Sequence, residues 1–381
     1  MDNVNFLRVQ LFVFRLMGIN LHNREKDFSA FTSFLIFAMV SFNAPMGNSV
    51  RQNLTNVSNV SDTMGSVLAT SLTFTKYLTF FYYRRELVEL VNRIRRILNA
   101  EMEAWPPAFE IVEAENRSDQ RLSGLYIRCF IAAGVFASVK PLVTMGLAVM
   151  RTGSTMLELP YVAQYPWDNQ VVYFYVPTYV WNMLVGYTAV VMALCMDTLL
   201  FALIYNVCAI FRVAQQRAIA LGEVKGTAKE EFESLLQVLE LHQTGLRIAE
   251  QLLSYFQPLV FMHFLVSAVM MCFVGFQAAD WFPKPQFIYF MAFVSSLLIA
   301  VFIYSYCGEH LKHESAAFAE AICDSAWYKF SPASKKALLL AIMRSQRPCE
   351  LRGYFFEANM ATFSMIVRST VSYIMMLRSF R

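Results

Sequence analysis

One short run has the residue types and the spacing that could bind a metal. In "EHLKHE", Glu309 to Glu314, the imidazoles of His310 and His313 are about one helical turn apart and are flanked by carboxylates. Histidine and carboxylate ligands on one helix face are typical of zinc sites. The run does not match H-E-x-x-H, however, and the sequence offers no evident third ligand. A solvated helix face is the better interpretation, so we expect no metal, no cofactor, no catalytic residue and no enzymatic activity.

A second run carries residues on which a modifying enzyme would act. In "RQNLTNVSNVSD", N-x-[ST] sequons begin at Asn53, Asn56 and Asn59, which places three acceptors for N-glycosylation within nine residues. A fourth sequon begins at Asn116. Because N-glycans are added to surfaces that face the outside of the cell, the use of each acceptor depends on the side of the membrane that its loop occupies.

The composition is that of a membrane protein. Hydrophobic residues make up 57% of the 381 residues and charged residues 16%, whereas soluble domains carry roughly 25% charged residues. The basic residues are scattered rather than gathered with aromatic residues, which argues against a nucleic-acid partner. Each hydrophobic block is long enough to cross about 30 Å of membrane lipid as a helix. The blocks lie near residues 28–47, 62–83, 125–150, 171–205, 251–275, 286–307 and 355–377.

Seven spans place the two termini on opposite sides of the membrane, and the basic residues decide which side is which. Cytoplasmic loops carry an excess of Lys and Arg. With the N-terminus inside, 23 of the 32 Lys and Arg residues fall in cytoplasmic segments. We therefore predict an all-α membrane protein with seven transmembrane helices, a cytoplasmic N-terminus and an extracellular C-terminus, in a single heptahelical domain over residues 1–381. The loop with three sequons then faces outward and is glycosylated, whereas Asn116 is cytoplasmic and unmodified.

Capping signals predict helical extensions in the cytoplasmic segments. Thr227 and Glu230 form a capping box ahead of apolar residues at helical spacing, so span five should begin as a cytoplasmic helix. Ser331 and Pro332 start a second such helix. These extensions predict a helical layer beneath the membrane, used for contacts between subunits or for folding within one chain. The first 20 residues, apolar but interrupted by arginines, predict an amphipathic segment at the membrane interface, with a solvent-exposed helix as the alternative.

Two common classes of membrane protein fit this pattern poorly. G-protein-coupled receptors have the reverse orientation, and their D-R-Y and N-P-x-x-Y motifs are missing from spans three and seven. Ion-coupled transporters need buried carboxylates, yet beyond Asp62 at the edge of span two the predicted spans contain only Asp197 and Glu357. The sequence also has no visible internal repeat of the kind that transporters use.

Five short runs carry a family resemblance, and four of them lie in the last quarter of the chain. They are "LPYVAQYPWD" (159–168), "YSYCGEHLKHES" (304–315), "DSAWY" (324–328), "MRSQRPCEL" (343–351) and "MIVRSTVSYIMMLRS" (365–379). With the predicted topology, these runs resemble the insect odorant receptors, and specifically their odour-tuned subunits.

The resemblance implies a function and a set of partners. It implies an odorant-binding subunit of a heterotetrameric, ligand-gated, non-selective cation channel, completed by odorant co-receptor subunits. The channel would lie in the plasma membrane of an olfactory neuron dendrite, with seventh helices around the pore. A small volatile odorant bound in the outer half of the helix bundle would open it. An atypical G-protein-coupled chemoreceptor and a self-assembling gustatory-type channel stay open as alternatives.

Polar and Met side chains recur along one face of span seven. Thr362, Met365, Ser369, Ser372, Met376 and Ser379 are spaced alternately by three and four residues. We assign the last four to the pore, because hydroxyl side chains can line a wet path and Met376 can form an apolar constriction near its outer end. The resemblance implies a gate at the same residue. Small residues that let helices pack closely give a similar pattern, so this alternative stays open.

Aromatic, Met and small side chains on several spans are candidates for an odorant pocket. A volatile ligand offers few hydrogen bonds, so its site should be a small enclosed cavity lined by such side chains, with one or two polar groups. The candidates are Phe74, Tyr77, Gly134, Ser138, Tyr175, Tyr179, Met183, Tyr289 and Phe293. Ordinary bundle packing with an aromatic belt at the membrane interface is the alternative for any one of them.

Two basic residues within the spans have alternative interpretations. Lys140, in the outer half of span three, either extends toward the membrane surface or lines a wet vestibule or the pocket. Arg368 lies off the polar face of span seven, where it either pairs with Glu357 or extends toward the membrane surface.

Overall fold

Helices make up almost all of the described structure. The computed structural model describes residues 6–16, 30–52, 57–153, 156–161, 163–221, 227–280 and 286–379. The helices are α1 (Arg8–Leu16), α2 (Ala30–Gln52), α3 (Val57–Tyr82), α4 (Arg84–Ala104), α5 (Ala108–Thr152), α6 (Val172–Leu221), α7 (Ala228–Asp280), α8 (Gln286–Ala316), α9 (Phe318–Asp324), α10 (Pro332–Ser345) and α11 (Met360–Ser379). A 3-10 helix (Trp327–Lys329) precedes α10, and two antiparallel strands, β1 (Arg352–Gly353) and β2 (Phe356–Glu357), precede α11.

Each predicted span corresponds to one long helix, in the order α2, α3, α5, α6, α7, α8 and α11. Within the described residues, α5 to α8 are the four helices that are long and apolar enough to cross a membrane by length and composition. Helices α2, α3 and α11 contain 23, 26 and 20 residues, which also reaches across the hydrocarbon. The predicted all-α, seven-transmembrane fold is confirmed.

The seventh transmembrane helix begins later than predicted. Asn359 caps α11, because its side-chain oxygen accepts a 2.8 Å hydrogen bond from the Thr362 amide. The residues before this cap form the β1–β2 hairpin, so Glu357 lies in β2 and not in the transmembrane helix. Its carboxylate pairs with Lys312 at 3.2 Å and with Arg352 at 3.4 Å. These two partners occupy Glu357, so the structure does not support its pairing with Arg368.

The capping signals correctly predicted the two cytoplasmic helices. The Thr227 amide donates to the Glu230 carboxylate at 2.9 Å, and the Glu230 amide lies 3.4 Å from the Thr227 hydroxyl. From this capping box α7 runs for 53 residues without a break, through the cytoplasmic segment and predicted span five. Ser331 caps α10 by accepting from the Ser334 amide, and Pro332 is the first helical residue.

Two more helices, α4 and α1, belong to the cytoplasmic layer, and each buries apolar side chains in the core. Helix α4, in a segment treated as a loop, buries an apolar face that includes Leu87, Ile94 and Leu98. Helix α1 buries Val13 and Phe14 in the same core, while Phe12 stays 63% exposed. This buried face rules out a fully solvated α1.

One histidine of the "EHLKHE" run contacts a buried carboxylate within this layer. His310 contacts the buried carboxylate of Glu115 at 3.0 Å, and Arg212 binds the other oxygen of the same carboxylate. Burial alone would raise the pKa of Glu115, but the hydrogen bonds from His310 and Arg212 outweigh it and hold that pKa below its usual range. His310 thus has a structural role as a hydrogen-bond partner of a buried carboxylate.

Asp197, fully buried in the inner half of α6, ties four helices together. Its carboxylate accepts hydrogen bonds from the Lys76 ammonium on α3 at 2.7 Å, the Tyr126 hydroxyl on α5 at 2.6 Å and the Tyr304 hydroxyl on α8 at 2.6 Å. The side chains of Lys76 and Asp197 are only 3% and 0% exposed. Charges this far from water persist when they are paired and fully hydrogen-bonded. We call these four residues the Asp197 cluster.

We predict that Lys76→Met destabilises the protein more than the double change Lys76→Met/Asp197→Asn. The single change leaves a buried carboxylate without its cation, at a cost of roughly 3–5 kcal/mol. The double change removes both charges, and the amide introduced by Asp197→Asn keeps one oxygen that accepts from one tyrosine hydroxyl while its NH2 group can donate to the other. Thermal unfolding of the purified chain, followed by size-exclusion fluorescence, measures the difference. A double variant no more stable than the single one would contradict this interpretation of the pair.

We predict that replacing Asn53, Asn56 and Asn59 together with Gln removes all glycosidase-sensitive mass. Asn53 and Asn56 lie outside the described residues, and Asn59 lies in the first turn of α3. Asn116, by contrast, is 8% exposed on α5, which leaves no room for a glycan. Gel mobility before and after glycosidase treatment is the measurement. A remaining shift that disappears on Asn116→Gln would contradict the orientation.

A cavity between the helices as the candidate ligand site

The transmembrane helices enclose a cavity of about 150 Å³ on the outer side of the Asp197 cluster. Helices α3, α5, α6, α7 and α8 form most of its wall. Residues from each of these helices are Thr73, Gly134, Gly186, Met270, Tyr289 and Phe293. An apolar cavity of the same size in an unrelated protein binds benzene, so this one has room for about six non-hydrogen atoms. We call it the inner cavity.

The inner cavity has a polar floor beneath apolar walls. Lys76 and Tyr126, both bound to Asp197, line this floor together with His263 from α7. The His263 ring stacks on the ring of Tyr304, with centroids 4.1 Å apart. A few fixed polar groups in an apolar cavity are what orients a small ligand.

Gly186 allows the ring of Tyr161 to form part of the side wall, and Gly134 lies against the ring of Tyr187. A Cβ atom on Gly186 would overlap the ring of Tyr161, and one on Gly134 would lie 3.4 Å from the ring of Tyr187. Tyr161 belongs to the segment that connects α5 to α6 on the outer side, and its amide donates to Asn182 at 3.1 Å. The outer loop therefore closes part of the cavity from above.

A second, larger cavity of about 440 Å³ lies on the outer side of the first. The two share Ser66, Tyr161, Tyr289 and Phe293, which form the partition between them. Polar residues of the outer cavity include Lys140, Glu158 and Gln277. The Lys140 ammonium lies 4.5 Å from the centroid of the Tyr289 ring, within range of a cation–π interaction. Lys140 thus lines this outer cavity, and a wet vestibule stays one of the predicted alternatives for it.

The structure brings together only some of the nine predicted pocket residues. Gly134, Tyr289 and Phe293 line the inner cavity, whereas the other six are not in its wall. Phe74 is half-buried on α3. Tyr77, about one turn farther along the same helix, is buried in the main core. The Ser138 hydroxyl donates to the Gly134 carbonyl of its own helix.

Tyr175, Tyr179 and Met183 share one face, as predicted, but this face packs in a separate cluster with Met145. The Tyr179 hydroxyl donates to the Ser138 carbonyl at 2.6 Å, and the Tyr175 hydroxyl donates to the Glu158 carbonyl at 2.8 Å. These bonds attach the outer end of α6 to α5 and to the outer loop. Contact of these three residues with an odorant stays a prediction.

Sequence reasoning missed the polar residues of the inner cavity. Lys76, His263 and Ser267 all lie within predicted spans and are 2%, 3% and 1% exposed. Ionisable residues in the middle of a span are rare, and they usually mark a functional site. Lys76 and His263 carried this signal in the sequence.

Helix α11 packs one face against α7 and α8 and leaves the opposite face open. The packed face includes Phe363, whose ring centroid is 5.6 Å from that of Phe302 on α8. It also includes Ile374, whose side chain occupies the space that a Cβ atom on Gly275 of α7 would need. On the opposite face, Met365, Ser369, Ser372 and Met376 are exposed, and Thr362 is half-buried. The side chain of Ser379 lies outside the described residues.

Comparisons with known proteins place this fold in a family. A family model described as "7tm Odorant receptor" matches residues 56–371. The chain belongs to the insect odorant receptor family. Odorant receptor 9a of Drosophila melanogaster is 53% identical over 376 residues, which cover 98% of this chain and 95% of that protein. Odorant receptor 47a of the same species is 34% identical over 99% of both proteins.

A solved structure supports the fold of this odorant receptor. The insect olfactory receptor OR5 from Machilis hrabei in complex with eugenol matches with a TM-score of 0.82, at 12% identity, over 98% of both chains. The resemblance predicted from the short runs is confirmed. The family is one of membrane-spanning receptors that detect odorants.

We predict that Phe293→Ala changes the order of potency within a panel of small odorants. It should raise the half-maximal concentration of at least one odorant about tenfold or more, since loss of contact with the ring costs roughly 1–3 kcal/mol. Tyr179→Phe is the matched control, because it removes a hydroxyl that bonds only to the Ser138 carbonyl among the described contacts and keeps the ring. Dose–response curves at matched surface expression measure both. If Tyr179→Ala and Met183→Ala reorder the panel while Phe293→Ala does not, the ligand site lies in the separate cluster.

Proposed function

We propose that this odorant receptor is the odorant-binding subunit of a heteromeric, ligand-gated, non-selective cation channel in the plasma membrane of an olfactory neuron. Odorant co-receptor subunits complete a tetramer around a pore formed by the seventh transmembrane helices. One observation carries the proposal. Two of the five helices that form most of the wall of the inner cavity, α7 and α8, are also the helices against which α11 packs.

This shared packing supplies a physical route from ligand to pore. Met270 on α7 and Phe293 on α8 line the inner cavity. Farther along the same helices, Gly275 and Phe302 contact α11 through Ile374 and Phe363. A ligand that fits better when α7 and α8 are displaced therefore shifts the position of α11. Only such a difference in affinity between two states can move the equilibrium toward the open one.

The open face of α11 supports its assignment to the pore. Ser369, Ser372 and Met376 are exposed on a helix whose opposite face is packed, so a neighbouring subunit or water can occupy this side. Hydroxyl groups solvate ions in a narrow path, and an apolar side chain such as that of Met376 can close such a path by dewetting. Close packing against a partner helix uses the same small residues, and the two roles predict different effects on permeation.

The test of the proposal is whole-cell current from cells that express this chain alone or together with a co-receptor subunit. The panel consists of small ketones, esters and aromatics, and G-protein signalling is blocked throughout. We expect a fast cation current in co-expressing cells only. A current from the chain alone would favour a self-assembling channel, and a response abolished by the block would favour a metabotropic receptor.

We predict that Met376→Ser raises the current that flows without odorant and alters rectification, because it removes the apolar constriction. Met375→Ser is the matched control, since Met375 is the same residue type one position off the predicted pore face and is 70% exposed. Current–voltage curves at matched surface expression measure the effect. Identical curves for Met376→Ser and the unsubstituted receptor, repeated for Ser379→Leu, would contradict the pore assignment.

A further inference from the structure

Two buried polar side chains in the wall of the inner cavity have no hydrogen-bond partner among the described residues. They are His263, through both ring nitrogens, and Ser267, through its hydroxyl. They lie one turn apart on α7 and are 3% and 1% exposed. Both line the inner cavity. Buried polar groups are nearly always hydrogen-bonded, so a small molecule in this cavity, either water or a ligand, would complete the hydrogen bonds of these two residues.

Three neighbouring polar groups of the same cavity already have partners. Ser296 lines the same cavity from α8, but its hydroxyl donates to the Ala292 carbonyl of its own helix at 2.9 Å. The Lys76 ammonium and the Tyr126 hydroxyl bind Asp197. Among the buried side-chain nitrogen and oxygen atoms of this wall, those without a partner therefore lie on α7, within the described residues.

We propose that His263 and Ser267 form a hydrogen-bonding subsite that selects small, neutral, oxygenated odorants, such as ketones and alcohols, over hydrocarbons of equal size. This inference rests on the proposed function, because it names the ligand class of the same site. A neutral imidazole offers one donor and one acceptor, and a serine hydroxyl offers both. A ligand carbonyl accepts from either residue, and a ligand hydroxyl both donates and accepts.

The charge of the cavity floor excludes acids from this class. Lys76 is already neutralised by Asp197 at 2.7 Å. A carboxylate ligand would bring a second buried anion to a site that has one cation, and an unpaired buried charge is strongly disfavoured. The volume of about 150 Å³ sets the size limit.

The experiment compares 2-pentanone with 2-methyl-1-pentene, which has the same skeleton but carries a methylene group in place of the carbonyl oxygen. Half-maximal concentrations for current are measured in cells that co-express the co-receptor. Thermal stabilisation by the same two compounds is measured on the purified receptor complex. The variants are Ser267→Ala and His263→Phe, which keeps the ring that stacks on Tyr304. Ser296→Ala is the control from the same wall.

We expect the unsubstituted receptor to prefer the ketone about tenfold or more, since each net hydrogen bond contributes a factor of roughly two to ten. Ser267→Ala and His263→Phe should each reduce this preference several-fold, and Ser296→Ala should leave it unchanged. If His263→Phe fails to reach the surface, Ser267→Ala alone decides.

Equal potency of the two compounds, or a preference that Ser267→Ala leaves intact, would overturn the subsite. Lack of both current and stabilisation with either compound would overturn it as well. Selective stabilisation by the ketone without any current would support the subsite and contradict the channel proposal, so the two failures are distinguishable.

Discussion

A single buried carboxylate organises the centre of this odorant receptor. Asp197 lies in the inner half of α6 with no exposure to solvent, and three other helices each contribute a donor to it. A charge in that position is stable only with complete pairing, so the positions of α3, α5 and α8 relative to α6 are strongly constrained. The same donors, Lys76 and Tyr126, form the floor of the inner cavity. The interaction that fixes the helices therefore also sets the depth and polarity of the ligand site.

The inner cavity lies where helix backbones meet aromatic rings from the helices and the outer loop. Gly134 and Gly186 let tyrosine rings approach the helix backbones from the side, and the outer loop contributes one of those rings, Tyr161. Tyr289 and Phe293 separate the inner cavity from the polar vestibule. A ligand that passes this partition leaves water and contacts α7 and α8, which hold α11. In the proposed mechanism, binding, desolvation and movement of the seventh helix therefore depend on the same pair of helices.

Local signals in the sequence predicted the fold well. Hydrophobic length identified the seven spans, and the caps at Thr227 and Ser331 identified the cytoplasmic helices, because both features depend on neighbouring residues. Helix α4 was missed because its charged segment has no hydrophobic block. The pairing of Lys76 with Asp197 joins residues 121 positions apart, which periodicity cannot detect. The pocket prediction found Gly134, Tyr289 and Phe293 by residue type, but the separate packing of Tyr175 and Tyr179 depends on helix orientation and on the outer loop.

The central claim is that odorant binding in this chain opens a channel of which the chain is a part. Cation flux into lipid vesicles that contain only the purified receptor and co-receptor subunits tests it most directly, because no other signalling protein is present. The account predicts flux on addition of a small ketone, and none in vesicles that contain the receptor alone. Binding of the ketone without flux in vesicles that contain both subunits would contradict it.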